Sequence, residues 1–471
     1  MLALKTLRGA GWSVATRLAS RVIDLASLLV LARVLTPADF GLMAIAASFI
    51  SIVDMVFEIP LVQALLRLPV IDKTHLDTAF TIGLLRSLVI ALSMAAAAWP
   101  VAYTFQDDRL IPVVLVLALG PIARSLYSPA AVYFYRNIDF RITFTADFSG
   151  KVIATLIAFA ALYAGAGYWT LVINPVLSSI IPTVLTYILA PYRPRLSLER
   201  LSDFSSFTGW FTSSQILAAV SWQYDRVFLG YHVDKSVLGR YGVASDFSVL
   251  PTQSLIGPAM RPVMAAFATI TDDQKRLQAA FLKAARLTML IAFPAGIGIA
   301  LTADQIVHVV LGDQWGEAGV YLRWLSIAIM FTAYYQPVSS LALSLDRPKV
   351  LLMIGLAEAV VRIVLMTAGF YIGGIMLMIY ARVAAAIFHF MISAFYAKQL
   401  VGIDIHKQLA NLWQVALSCL AMAAAVLTVQ FVIRNFDLGI AGPLAAMSIC
   451  GAVVYAGCMH CLGFRLGALR P

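Results

Sequence analysis

Apolar runs of about twenty residues recur along the whole chain, and they decide most of what it can fold into. Each is long enough to cross a hydrocarbon layer about 30 Å thick as a helix rising about 1.5 Å per residue. About fourteen are recognisable, at residues 11–34, 40–66, 79–103, 110–134, 143–163, 167–190, 207–231, 237–269, 280–301, 320–345, 350–371, 374–396, 412–433 and 438–462. Lipid offers no water to backbone N–H and C=O groups, so segments of this kind are expected to be helices bonded within themselves. With 61% hydrophobic and 12% charged residues among 471, the chain is too apolar for a soluble globular protein. The expected fold class is an all-α polytopic membrane protein.

Charged residues nonetheless lie inside these runs, among them Arg17, Arg21, Asp24, Asp54, Glu58, Arg86, Arg124, Asp147, Lys151, Asp225, Arg226, Asp246, Arg261, Arg323, Glu358, Arg362 and Arg382. Facing lipid they would cost on the order of 40 to 60 kcal/mol, so they are expected to face the bundle interior. Arg21 and Asp24, Asp147 and Lys151, and Glu358 and Arg362 are three or four residues apart, a spacing that lets each pair neutralise itself on one helix face. The last two are expected to be scaffold pairs. Arg86, Arg124, Arg323 and Arg382 have no acid at that spacing and need a partner from another helix or a substrate. Asp54 and Glu58 are like charges one turn apart. Either one of them holds a proton, which suits coupling to H+ or Na+, or each pairs with Arg17, Arg86 or another cation of the first half.

Basic residues sort the connections into two sets, and Lys and Arg resist translocation. Lys5 and Arg8, Arg67 and Lys73, Arg136 and Arg141, Arg193 to Arg200, Lys275 to Arg286, Arg347 and Lys349, Lys398 and Lys407, and Arg465 and Arg470 fall on one side. That side is expected to be cytoplasmic, with both termini on it. The opposite connections carry Asp107, Asp108, Asp304, Asp313 and Glu317. The net charge of +10 reads as this bias and not as nucleic-acid binding. No cleavable signal peptide is expected, since Lys5 and Arg8 precede a segment too long for one. Cys419, Cys450, Cys458 and Cys461 cluster in the last two runs, which argues against a disulfide framework, and Cys458-Met459-His460-Cys461 lacks a second ligand pair for a metal. There is no hydrolytic Ser, His and carboxylate arrangement and no phosphate loop, so neither an enzyme nor an ATP-driven pump is expected.

The chain also repeats itself. Gly41, Ala46, Phe49 and Pro60 recur at one offset as Gly239, Ala244, Phe247 and Pro258, and Arg136, Asp147 and Lys151 recur at another as Arg347, Glu358 and Arg362. Two six-helix lobes follow, as parallel repeats: residues 1–190 and 207–397, joined by a linker at 191–206 and followed by two additional helices within 398–471. Pro60, and Pro258 with Pro262, are expected to kink their helices.

Leu31 to Leu42, LARVLTPADFGL, resembles the first external turn of the Wzx-type lipid-linked oligosaccharide flippases, a branch of the multidrug/oligosaccharidyl-lipid/polysaccharide exporter superfamily that also holds the MATE and MurJ proteins. Tyr135 to Arg141, Pro191 to Leu196 and Leu311 to Trp315 resemble further segments of that family, and the similarity runs from about Gly11 to about Lys407. The resemblance implies a two-lobed carrier in the bacterial inner membrane that moves an undecaprenyl-diphosphate-linked oligosaccharide outward for exopolysaccharide, capsule or lipopolysaccharide O-antigen synthesis. It implies no cofactor beyond a coupling ion, H+ or Na+, and glycosyltransferases and a polysaccharide polymerase as partners. The family's cavity is lined by the first two helices of each lobe. Arg17, Arg21 and Arg261, with Arg86 and Arg124, are then the candidates for the diphosphate, which guanidinium groups match in charge and geometry. Asp24, Asp54, Glu58, Asp225, Arg226 and Asp246 are candidates for gating or ion coupling. A multidrug or cation antiporter and a lipid II flippase remain alternatives in the same superfamily. A polysaccharide polymerase or ligase is the alternative from another class.

Overall fold

A computed structural model describes residues 19–59, 61–68, 70–137, 141–205, 221–252, 256–433, 436 and 439–463. Among them there is no strand, and the described parts of the apolar runs lie on helix apart from short breaks. The chain divides into two compact units, Met1–Gly239 and Arg240–Pro471.

The first unit holds α1 (residues 19–34), α2 (Pro37–Val56), α3 (Leu61–Arg67), α4 (Lys73–Thr104), α5 (Leu110–Ser125), α6 (Val132–Arg136), α7 (Arg141–Tyr163), α8 (Trp169–Leu189), α9 (Leu201–Ser205), α10 (residues 221–232) and the first turn of α11 (Lys235–Pro251). The second holds the rest of α11, then α12 (Gly257–Ala268), α13 (Gln274–Val310), α14 (Gly316–Thr332), α15 (Tyr335–Ser344), α16 (Pro348–Val401), α17 (Ile405–Ala410), α18 (Trp413–Ile433) and α19 (Gly442–Cys461). Eight of the described helices are long and apolar enough to cross a membrane singly, and α5 with α6 makes a ninth span bent by 48°. The 54-residue α16 contains two of the expected runs, because Gly373 and Gly374 leave helical geometry. Gly374 has φ 66°, a region that costs side-chain-bearing residues strain, so the chain reverses there between two arms.

α2 stops at Val56, and Pro60, where a kink was expected, lies outside the described residues. Pro258 sits in the first turn of α12, where its missing N–H costs nothing. Side chains then satisfy the backbone opened at the breaks, as the absence of water in lipid requires. Beyond α5, Thr183 and Tyr187 of α8 donate to the carbonyls of Ala123 (3.0 Å) and Leu126 (2.9 Å), and the Ser128 hydroxyl donates to Ala190 O at 3.0 Å.

In the first unit, the repeat-related glycines Gly41 and Gly239 lie against each other's helix. A Cβ on Gly41 would fall 1.9 Å from Lys235 O, and one on Gly239 would fall 1.9 Å from Pro37 O, so only glycine fits. Beside this crossing Asp107 accepts from Lys235 Nζ (2.5 Å) and Arg109 Nη2 (2.8 Å). Burial disfavours that carboxylate, but the bonds from Arg109 and Lys235 outweigh it and hold its pKa at about 2. At the other end of α4 the extended segment leading to α9 is tied down: Tyr192 donates to Asp77 Oδ1 (2.5 Å), and the N–H groups of Ser197 and Arg200 donate to Thr81 (3.0 Å) and Thr78 (3.4 Å). The core of the second unit gathers Phe281, Tyr334, Leu341, Ile354, Phe390 and Ala397, and Tyr334 donates to Gln408 at 2.7 Å.

Candidate functional site

Four helices of the first unit converge on Asp54, in the last turn of α2. Its Oδ1 accepts from Arg86 Nη2 of α4 at 2.5 Å, and its Oδ2 accepts from Arg124 Nη2 of α5 at 2.7 Å. Two guanidinium groups thus share one carboxylate, leaving one positive charge in excess among the three.

The two arginines are not equivalent. Arg86 also donates through Nε to Phe57 O (2.7 Å), through Nη2 to Asp54 O (3.1 Å) and through Nη1 to Ser125 Oγ (2.6 Å). It therefore closes the carbonyl end of α2, and its side chain is only 11% exposed. Arg124 has one further contact, from Nη1 to Ser179 Oγ of α8 at 2.9 Å, and its side chain is 51% exposed. Arg86 is a fixed brace, whereas Arg124 has donor capacity facing outward from the cluster.

The other intramembrane charges fall into three groups. Arg323 reaches Asp304 on α13 at 2.5 Å, which supplies the partner from another helix that its sequence context required. Glu358 and Arg362 pair within α16 at 3.4 Å, as their spacing implies. The expected pair of Asp147 with Lys151 is corrected, because Lys151 reaches across from α7 to Asp24 of α1 at 2.5 Å. The reason is that spacing along one helix does not register an acid on a neighbouring one; at the offset that relates Gly41 to Gly239, the counterpart of Asp24 is Trp222. Arg21 is half-buried on α1, Glu58 is exposed in the break after α2, Asp225 is buried with Arg226 half-buried beside it on α10, and Asp246 is exposed on α11. Arg382 is buried on the second arm of α16. Arg17 and the side chain of Arg261 lie outside the described residues. The hydroxyls of Ser125 and Ser179, which orient the arginines, carry no signal in the sequence, since a serine in an apolar run usually bonds its own helix.

The fold is that of the multidrug/oligosaccharidyl-lipid/polysaccharide exporters. It is shared with the lipid II flippase MurJ in an inward closed conformation (TM-score 0.76, 13% identity, 96% of this chain and 98% of that one). It is shared also with an inward-facing multidrug resistance MATE family transporter (TM-score 0.64, 14% identity, 82% and 98% of the two chains). Residues 30–320 match the model of a polysaccharide biosynthesis protein family, and the chain belongs to that family. Among its relatives are the lipopolysaccharide biosynthesis protein WzxC of Escherichia coli K12 (22% identity over 73% of this chain and 70% of that one) and the teichuronic acid biosynthesis protein TuaB of Bacillus subtilis 168 (19% over 95% and 94%). The succinoglycan biosynthesis transport protein ExoT of Rhizobium meliloti 1021 is 24% identical over 68% of this chain and 65% of its own.

Proposed function

We propose that the chain is a flippase that carries undecaprenyl-diphosphate-linked oligosaccharide units from the inner to the outer face of the bacterial inner membrane, for exopolysaccharide, capsule or O-antigen synthesis. The observation that carries this reading is the excess of guanidinium over carboxylate at Asp54, within the membrane span of a polysaccharide-biosynthesis chain. A fixed cationic group in a low-dielectric setting attracts a diphosphate strongly, whereas a carrier of cationic drugs needs the opposite sign. Arg124 and Arg21, with Arg17 and Arg261, are assigned to the diphosphate, and Arg86 to positioning. Asp24, Asp54, Glu58, Asp225, Arg226 and Asp246 are assigned to gating or ion coupling, with H+ or Na+ as the ion.

In this reading both termini are cytoplasmic. Lobes 1–190 and 207–397 alternate access about the linker at 191–206, and residues 398–471 add two helices. Glycosyltransferases and a polymerase act before and after the carrier, and no bond is made or broken by it. The test is complementation of a strain lacking its own oligosaccharide flippase, comparing wild type with Arg21→Ala, Arg124→Ala and Asp54→Asn at matched expression. Restored surface polysaccharide with wild type, and precursor accumulating at the cytoplasmic face with the arginine variants, is the expected result. Normal polymer from every variant would make these charges scaffold and return the assignment to a drug antiporter, and rescue of a lipid II flippase defect alone would change the cargo.

A further inference from the structure

The extended segment between α8 and α9 is tied to α4, yet most of its other side chains are exposed. Tyr192 donates to Asp77 Oδ1 at 2.5 Å and its ring lies 6.2 Å from that of Phe80, while the N–H groups of Ser197 and Arg200 donate to Thr81 and Thr78. These bonds set the depth of the segment. Asp77, Thr78 and Thr81 lie within about 3 Å, along the axis of α4, of residue 79, where the apolar run of that helix begins. The run on α8 ends at residue 190, so both helices place the segment at the boundary between hydrocarbon and headgroups. Two kinds of side chain are exposed there. Arg193 and Arg195 have no ion-pair partner among the described residues, unlike Arg200, which stands 3.6 Å from Asp72, and residues 191–198 contain no acid. Leu196 and Leu198 are 70% and 48% exposed.

We propose that residues 193–198 bind anionic phospholipids of the leaflet in which the N-terminal end of α4 lies, with Arg193 and Arg195 on the headgroup phosphates and Leu196 and Leu198 in the acyl boundary. Exposed leucines beside uncompensated guanidinium groups are unfavourable in water and favourable at such a surface. A protein partner would have to displace lipid at this depth. A zwitterionic headgroup carries the same phosphate but cancels it with its own cation, so the preference is for a net negative headgroup such as phosphatidylglycerol. The surface uses none of the residues assigned to the diphosphate, and it stands or falls independently of the flippase reading.

The test uses the full chain in nanodiscs of phosphatidylcholine alone, or of phosphatidylcholine and phosphatidylglycerol in equal parts. Melting midpoints are read in both, and native mass spectrometry from detergent measures affinity for phosphatidylglycerol. Wild type should melt higher in the anionic discs. Arg193→Gln with Arg195→Gln should lose most of that gain and bind phosphatidylglycerol about tenfold more weakly or less tightly still. Arg193→Lys with Arg195→Lys should keep most of the binding. Arg347→Gln with Lys349→Gln, which removes two exposed charges at the start of α16, should keep all of it. Leu196→Ser with Leu198→Ser should weaken binding with the charge unchanged. Unchanged affinity in the double glutamine variant of the segment, or an equal loss in the Arg347 and Lys349 variant, overturns the surface, and the affinity decides even where a variant melts low. Inorganic phosphate that reproduces the gain in phosphatidylcholine discs also overturns it, since it would mark an anion pocket and not a lipid surface.

Discussion

At the scale of single residues, the contrast between Arg86 and Arg124 is the most consequential. Arg86→Ala leaves a carboxylate and two carbonyls of α2 uncompensated inside the membrane, and should cost on the order of 3 kcal/mol, visible as a lowered melting midpoint in detergent. Arg124→Ala should change stability by less than about 1 kcal/mol, because its half-exposed pair is screened, yet reduce precursor flipping about tenfold or more. Comparable melting losses in the two variants would contradict the distinction. Asp54→Asn should free both guanidinium groups and tighten binding of inorganic diphosphate, measured by calorimetry on purified protein. The need of Arg86 and Arg124 for partners was legible in the sequence, and Arg86 stood among the named partners of Asp54. That both converge on one acid was not, because pairs between helices depend on packing that spacing along the chain does not encode.

Among the elements, the breaks carry the lesson. The long apolar helices were legible from length and hydropathy, since lipid allows a long apolar segment little besides a helix. The break between Thr332 and Tyr335, at the junction of α14 and α15, was not read from the sequence, although Pro337 stands four residues after Ala333, whose carbonyl its ring would meet. The reversal at Gly373 and Gly374 was expected from the spacing of two runs, and the positive φ of Gly374 explains why it holds. Gly374→Ala should cost about 1 to 2 kcal/mol, read as a lower melting midpoint, while Gly355→Ala, at a helical position with open space around it, should be neutral or stabilising.

For the whole molecule, the repeat is visible in the glycines and less so in the charges. Gly41 and Gly239 play matching parts, whereas Asp24, the acid that Lys151 meets, has Trp222 at the corresponding place. The contact of Asp107 with Lys235 supplies a pH-dependent share of stability. Its carboxyl titrates at about 2 in the folded chain against an ordinary value of 3.8, so the unfolded state binds the proton first as pH falls. The contribution is complete above about pH 4 and disappears as pH drops toward 2. The melting difference between wild type and Asp107→Asn should shrink over that window, and a difference constant with pH would refute it.

The brace at the end of α2 also bears on the order in which the protein is made. A helix that carries Asp54 and ends in open carbonyls is unfit to remain alone in lipid, and the groups that make it fit arrive later in synthesis, on α4 and α5. The early helices must therefore wait beside the insertion machinery and leave it together, so that a nascent chain halted before Arg86 would remain extractable by alkali while one extended past Ser125 would not.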